Sequence, residues 1–341
     1  MKMLEMIKEL SSLNGISGRE DIVRDYIISR LPETAEYSVD AMGNLIVFVK
    51  GKKRAKNKVM LAAHMDEVGM IVTYINSDGF IKFANVGGIE TAVQLGRRVK
   101  VGEKELTGVI GVTPIHLRRA DDEQKYPKKA DELYIDVGAE SDKELEGLVS
   151  PGDKVVFDNE TVEFGSMLKG KALDDRAGCA VLLDMIISGV EYDTYFAFTV
   201  QEEVGCRGAG CAACAVEPDY AVVVETTTAA DISGVSGEKQ VCKLGSGAVV
   251  PFMDAGTVYS PELYKKANEL AKEKNFKIQT KTVVAGGNDA RSIKTNRGGV
   301  KTLTVSFATR YLHSPSCVIH KDDIAEMKKA VTAIAEEFAN A

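Results

Sequence analysis

The residues with the clearest chemical potential stand where apolar runs stop. "VMLAA" runs into His64, with Asp66 two positions on. "FAFTV" is followed, after one residue, by the adjacent pair Glu202 and Glu203. "AVVV" ends in Glu225, "TVSFATRYL" in His313, and Asp174-Asp175 follow "KGKAL" at the start of a helical pattern. A buried strand does not finish in paired carboxylates without a partner, because an unpaired buried charge is costly. In open α/β sheets ligands gather beyond the carboxyl ends of the strands. Two imidazoles and several carboxylates converging there suit zinc or cobalt, and manganese among the ions that accept nitrogen and oxygen donors.

Electrostatics then suggests a division of labour. Two dications a few ångström apart repel, so a carboxylate has to bridge them, and a further His and carboxylate on each leave room for water and substrate. Of the paired glutamates, Glu203 can bind metal while Glu202, unligated, takes the proton of the attacking water. Partial burial keeps such a base from being driven to too low a pKa. Asp66 can orient His64 through its second ring nitrogen. Taken singly, each of these is an ordinary solvated loop residue, and only the set argues for a site. His116 and His320 lack comparable acidic surroundings and read as structural.

The elements that must position this set form a pattern of two kinds. Met3 to Leu10 is helical in spacing, and Ser17 with Glu20 reads as a capping box opening a helix through Leu31. Strands follow at Leu45 to Val49 and Val59 to Ala63. From Val68 the texture changes to short β runs broken by glycine turns, the mark of a small barrel or sandwich. Helical patterning resumes at Leu173 and closes at Gly189. Ser260-Pro261 opens another helix. In the last one Ile324, Met327, Val331, Ile334 and Phe338 make one apolar stripe. The reading is a discontinuous α/β catalytic domain, residues 1–67 and 166–341, interrupted by an all-β insert at 68–165.

At 341 residues the chain is long enough for two domains, and its 45% hydrophobic and 27% charged composition is that of a globular protein. A net charge of −7, with no basic stripe, argues against nucleic acid as partner. No apolar run is long enough to span a membrane and no leader is visible, so the expected location is the cytoplasm. Cys206, Cys211 and Cys214 have a C-x4-C-x2-C spacing, yet no fourth cysteine lies nearby, and they read as small residues packed in a helix start.

The segments "HMDEVGMIV", "KALDDRAGC", "QEEVGCRGA", "AGGNDARSI" and "TRYLHSPSCVI" occur in the order that resembles the TET-type dinuclear metallo-aminopeptidases, also known as glutamyl or deblocking aminopeptidases or cellulase M. These belong to the zinc-exopeptidase superfamily. The resemblance implies a zinc-exopeptidase-like α/β/α domain, with the β insert serving dimerisation. It implies Asp174 as the bridging ligand, His64 and Glu225 on one metal and Glu203 and His313 on the other, with Glu202 as general base and Asp66 orienting the histidine. It also implies a cis peptide at Asp174-Asp175 and a dodecamer of six dimers with the sites inside. The charged segment 118–131, "RRADDEQKYPKKAD", would be a solvated loop able to reach a neighbouring subunit. Glu225, Cys206 and Asn288 depart from the usual pattern, where aspartate, a larger aliphatic residue and threonine are common.

The expected activity is release of N-terminal residues from peptides. A two-metal deacylase or carboxypeptidase would share the core. An endoglucanase would use bare carboxylates and aromatic platforms, and this chain has no Trp and 6% aromatic residues.

Overall fold

The computed structural model describes residues 2–117, 127 and 129–341. The segment 118–131 therefore falls largely outside the described residues. Helices α1 (Met3–Ser12) and α2 (Asp21–Arg30) lead into strands β1 (Glu36–Val39), β2 (Leu45–Val49) and β3 (Val59–His64). The barrel strands follow: β4 (Gly69–Ile75), β5 (Ile81–Val86), a short helix α3 (Thr91–Gln94), β6 (Arg98–Val101), β7 (Leu106–Val112), β8 (Leu133–Asp136) and β9 (Lys154–Phe157). Then come β10 (Val162–Phe164), β11 (Met167–Gly170), α4 (Leu173–Ser188), β12 (Thr194–Thr199), α5 (Arg207–Val216), β13 (Tyr220–Thr228) and β14 (Ala248–Val250). The chain ends with α6 (Pro261–Glu273), β15 (Ile278–Thr280), α7 (Ala290–Lys294), β16 (Lys301–Thr309), β17 (Cys317–His320) and α8 (Lys321–Asn340).

Eight strands form the main sheet in the order β1-β2-β12-β3-β13-β16-β14-β15. Its centre, β12-β3-β13-β16, is parallel, and antiparallel pairs flank it on both sides. Parallel strands carry helices on both faces and so read as continuous apolar runs. All six residues of β3 and eight of the nine in β13 are buried accordingly. Packed against the sheet, α4 and α8 supply buried apolar faces, and the stripe read in α8 is buried throughout. Because the four central strands run the same way, their carboxyl ends share one edge. Register sets Thr199 beside His64 and Glu225 beside Ser306.

Strands β4 to β9 close into a six-stranded barrel, order β4-β5-β8-β7-β6-β9, around a hydrophobic core of its own that includes Met70, Phe83, Val99, Ile135 and Phe157. Closure removes the exposed edges that so short a set of strands would otherwise present. β10 and β11 pair instead with β17, from the far end of the chain.

One local expectation fails. The helix after Ser17 forms, but no side chain caps it. Ser17 Oγ donates to Asp66 Oδ2 at 2.6 Å, and Glu20 accepts the amides of Gly18 and Gln201 at 2.8 and 3.1 Å. Asp66 and the Gln201 amide are partners that only the tertiary fold brings near. His320 does cap, accepting the Asp322 amide at the start of α8.

Candidate metal centre

His64 is the last residue of β3, and its Nδ1 lies 3.0 Å from the main-chain carbonyl of Asp66. With Nδ1–H donating there, Nε2 faces Asp174 Oδ1 at 3.3 Å and Glu225 Oε1 at 3.5 Å. His313 mirrors this. Its Nδ1 is 2.8 Å from the carbonyl of Gly88, and its Nε2 faces Asp174 Oδ2 at 3.6 Å and Glu203 Oε2 at 3.3 Å. Asp174 thus presents one oxygen to each imidazole, with a second carboxylate beside each. Gly88 belongs to the barrel segment, between β5 and α3. The insert supplies the acceptor that orients His313.

Asp66 is fully buried, and its carboxylate accepts the amides of Glu202 and Glu203 at 3.0 and 3.1 Å besides the Ser17 hydroxyl. Its Oδ1 stands 3.4 Å from His64 Nδ1. One carboxylate therefore pins the backbone of both glutamates and braces the imidazole. The peptide Asp174-Asp175 is cis. Asp175, read with the acidic set but given no ligand role, is fully buried, and one of its oxygens lies within 4.8 Å of ligand atoms of His64 and Glu225. Its Oδ1 folds back to accept the Gly178 amide at 3.0 Å. A Cβ at Gly178 would come within 2.4 Å of that carboxylate, so only glycine fits there.

Buried carboxylate oxygens without a donor mark what the cluster lacks. Asp174 Oδ1, Asp175 Oδ2, Glu203 Oε1 and Glu225 Oε2 have no hydrogen-bond partner. Leaving such an oxygen unpaired costs about 1–3 kcal/mol, more when it is charged. A divalent ion bound at about 2.0–2.2 Å sets neighbouring ligand atoms roughly 3–3.5 Å apart, close to the separations seen. The donor set fits metal. Its electrostatics point the same way. Burial raises the carboxyl of Glu203, and the charges of Asp174 and Glu202 add to it. Burial likewise lifts Glu225, to about 7, with His64 opposing and Asp174 assisting. Burial also raises Glu202, against His64 and with Glu225 and Asp289. For His64, burial is outweighed by Glu225, Asp174 and Asp66, which hold its pKa well above the ordinary value.

A cavity of about 970 Å³ opens over the cluster, and Asp174, Glu202, Glu203, Glu225 and His313 face it. Asn288 and Lys281 line the same wall; Asn288 donates to Asp254 Oδ2 at 3.3 Å and holds the Ala290 amide at 2.9 Å. His116 is exposed, and among the described residues neither it nor Cys211 nor Cys214 joins a group able to hold metal. All six cysteines are free.

A doubly wound sheet with acidic and imidazole donors at its carboxyl edge defines a site for hydrolytic chemistry, and comparison with known proteins makes the class specific. Residues 43–330 match the M42 glutamyl aminopeptidase family, and the chain belongs to that family, as a peptide hydrolase. It is 36% identical over 337 residues to a putative aminopeptidase of Acetivibrio thermocellus, covering 98% of both chains. Its fold superposes on an aminopeptidase of the archaeon Desulfurococcus kamchatkensis with a TM-score of 0.92, at 35% identity over 98% of this chain and 94% of that one. A TET peptidase of Pyrococcus horikoshii, described as assembling into a tetrahedron or a large octahedral shell, gives a TM-score of 0.86 at 37% identity, over 98% and 99% of the two chains. No described helix is long and apolar enough to cross a membrane.

Proposed function

We propose that the chain is a two-metal aminopeptidase, removing N-terminal residues from peptides. The observation that carries this is the placement of Asp174, one oxygen toward His64 and the other toward His313. Asp174 would bridge, His64 and Glu225 would hold one ion, and Glu203 and His313 the other. Zinc or cobalt suits these donors, with manganese as a further candidate. When bound, the two ions would polarise the scissile carbonyl and ease deprotonation of the attacking water.

The chain's own groups do the rest. Glu202, beside this set and facing the cavity, accepts the water proton and returns it to the leaving amine. Its backbone is fixed by Asp66, so the carboxylate starts each turnover from one position. Gly88 and the Asp66 carbonyl hold both imidazoles in the tautomer that leaves Nε2 free.

The barrel, within a unit spanning 68–165, we assign to dimerisation, with six dimers closing into a dodecamer whose interior holds the sites. That reading draws on the shell described for the Pyrococcus peptidase. Enclosure would admit short unfolded peptides only, a useful restriction for a peptidase working in the cytoplasm.

The test pairs metal with base. Chelation should abolish hydrolysis of aminoacyl p-nitroanilides, and two equivalents of zinc or cobalt should restore it. Glu202→Gln should keep both ions and lose at least about 10²-fold in kcat. Full activity in metal-free protein would end the two-metal reading, and loss of metal in Glu202→Gln would exchange the roles of the two glutamates.

A further inference from the structure

Two side chains without a place in the proposed chemistry stand beside Glu202. Cys206, at the head of α5, donates its S–H to Glu202 Oε1 at 3.2 Å and is 5% exposed. Asp289, just before α7, is 1% exposed; its Oδ2 accepts from Thr199 Oγ1 at 2.5 Å, while Oδ1 has no hydrogen-bond partner. One oxygen of each carboxylate and the Cys206 sulfur lie within 4.8 Å of one another. The turn that carries Glu202 and Cys206 is tightly held, with the amides of Gly205 and Cys206 both donating to the Glu202 carbonyl at 2.8 Å.

We infer that Glu202, Cys206 and Asp289 form a third cation site, specific for a thiophilic divalent ion such as zinc or cadmium, whose occupation inhibits the enzyme. Tetrahedral zinc with sulfur at about 2.3 Å and oxygen at about 2.0 Å sets those atoms roughly 3.5 Å apart, near the sulfur–oxygen distance already present. A small rotation of the Glu202 side chain brings the rest into range. The Asp289 Oδ1 oxygen, buried with the Cys206 thiol as its neighbour and no hydrogen bond of its own, is an acceptor that a cation would satisfy. A thiolate ligand favours zinc and cadmium over magnesium, calcium or manganese. On binding, the ion replaces the S–H proton, which leaves to solvent. The route is open, because Glu202 and Cys206 line the substrate cavity. Once Glu202 is a ligand it no longer accepts a proton from water, and this inhibitory arm rests on the role proposed above for Glu202.

The experiment titrates cadmium into protein loaded with two zinc or cobalt ions per chain, in a Cys211→Ala/Cys214→Ala background that removes the two exposed thiols. The five proposed ligands of the metal pair contain no sulfur, and Cys179, Cys242 and Cys317 remain in both proteins, so the part of the thiolate-to-cadmium absorption that depends on Cys206 reports the third site. Expected are such a band, one additional ion per chain, and inhibition following the same titration curve. Adding Cys206→Ala should abolish the band and raise the inhibitory midpoint at least about tenfold. A band or midpoint that survives Cys206→Ala would overturn the site. Should that variant fail to fold, Asp289→Asn, which keeps the thiol, must also raise the midpoint, and an unchanged one overturns the assignment. A parent protein with the cadmium band but without peptidase activity would sink the proposed function and leave the third site standing.

Discussion

Asp66→Asn tests the idea that one buried carboxylate organises the whole centre. In the native chain Oδ1 serves the Glu202 amide and lies near His64, while Oδ2 serves Ser17 and the Glu203 amide. Asparagine keeps one acceptor and turns the other into a donor. The better orientation leaves its oxygen at the Oδ1 position, because the Ser17 hydroxyl can rotate and accept from the new NH2 group. The Glu203 amide is then the one donor stranded, at about 1–3 kcal/mol. Neutralising the remaining charge-assisted bonds adds on the order of 1 kcal/mol. The variant should therefore lose about 2–4 kcal/mol of stability. Its effect on the site should be selective, since Glu203 is a proposed ligand and its backbone is the part released: metal affinity should fall about 10–100-fold. Urea unfolding gives the first quantity, and dialysis against metal-buffered solutions the second. Unchanged metal affinity, or equal weakening in an Asp→Asn change made far from the centre, would refute the reasoning.

The other predictions concern substrate, pH and assembly. Lys281 is 9% exposed, lines the cavity and donates to the Ala285 carbonyl at 2.6 Å, so it should favour an acidic side chain at the substrate N-terminus. Lys281→Met should lower the ratio of kcat/KM for glutamyl over leucyl p-nitroanilide at least about tenfold, and a constant ratio would remove this role. Burial raises Glu225 from 4.5 to about 7, and Glu202 and Glu203 shift the same way. Groups raised on folding stabilise below their unfolded pKa and lose that contribution as pH rises through the folded one. Metal-free protein should therefore lose thermal stability between roughly pH 4.5 and 7, and zinc should reverse the loss. Asp174 is held low, chiefly by the His64 imidazolium working against burial, and titrates beneath this window. A chelated protein that gains stability across that range would contradict the shifts. Light scattering should find a closed oligomer of about twelve chains, whereas a stable, fully active monomer would remove the assembly and leave the chemistry.

Much of the centre was legible because parallel strands leave a sharp local trace: apolar, β-branched runs that stop at the sheet's carboxyl edge. His64, Glu202, Glu203 and Glu225 stood out on that ground alone, and the structure brings them together with Asp174 and His313. The barrel was legible as a succession of short strands, though closure is not a local property and β10 and β11 left for another sheet. What stayed hidden shares one cause. Ser17 and Glu20 have the spacing of a capping box, yet Ser17 turns to Asp66 and Glu20 to the Gly18 amide and to the Gln201 amide far along the chain. Gly88 shows no mark of its task, because a main-chain carbonyl looks alike in every residue. Asp289 and Lys281 sit in polar loops, where spacing says nothing of burial.

Beneath the centre lies a charged group that spacing could not reveal either, and it explains how two loops stay aligned without a ligand to hold them. Arg176 has no exposed surface, and it donates to the carbonyls of Met65, Leu10, Leu13 and Gly15. Glu67 is gripped by Lys171 at 2.7 and 2.9 Å and accepts the Gly15 amide. Burying three charges is expensive, and apolar residues of similar volume would often be at least as stable. Apolar residues, however, could not satisfy the main-chain carbonyls of a segment that has left its helix, nor fix its direction. Met65 and Glu67 bracket Asp66, while Lys171 and Arg176 bracket Asp174. The network thus ties the loop that orients His64 to the loop that offers Asp174, the proposed bridging carboxylate, and both to the chain after α1. Sub-ångström placement of Asp174 between two imidazoles requires that its two supports move together, and hydrogen bonds of fixed direction accomplish this where packing alone would leave freedom to slide.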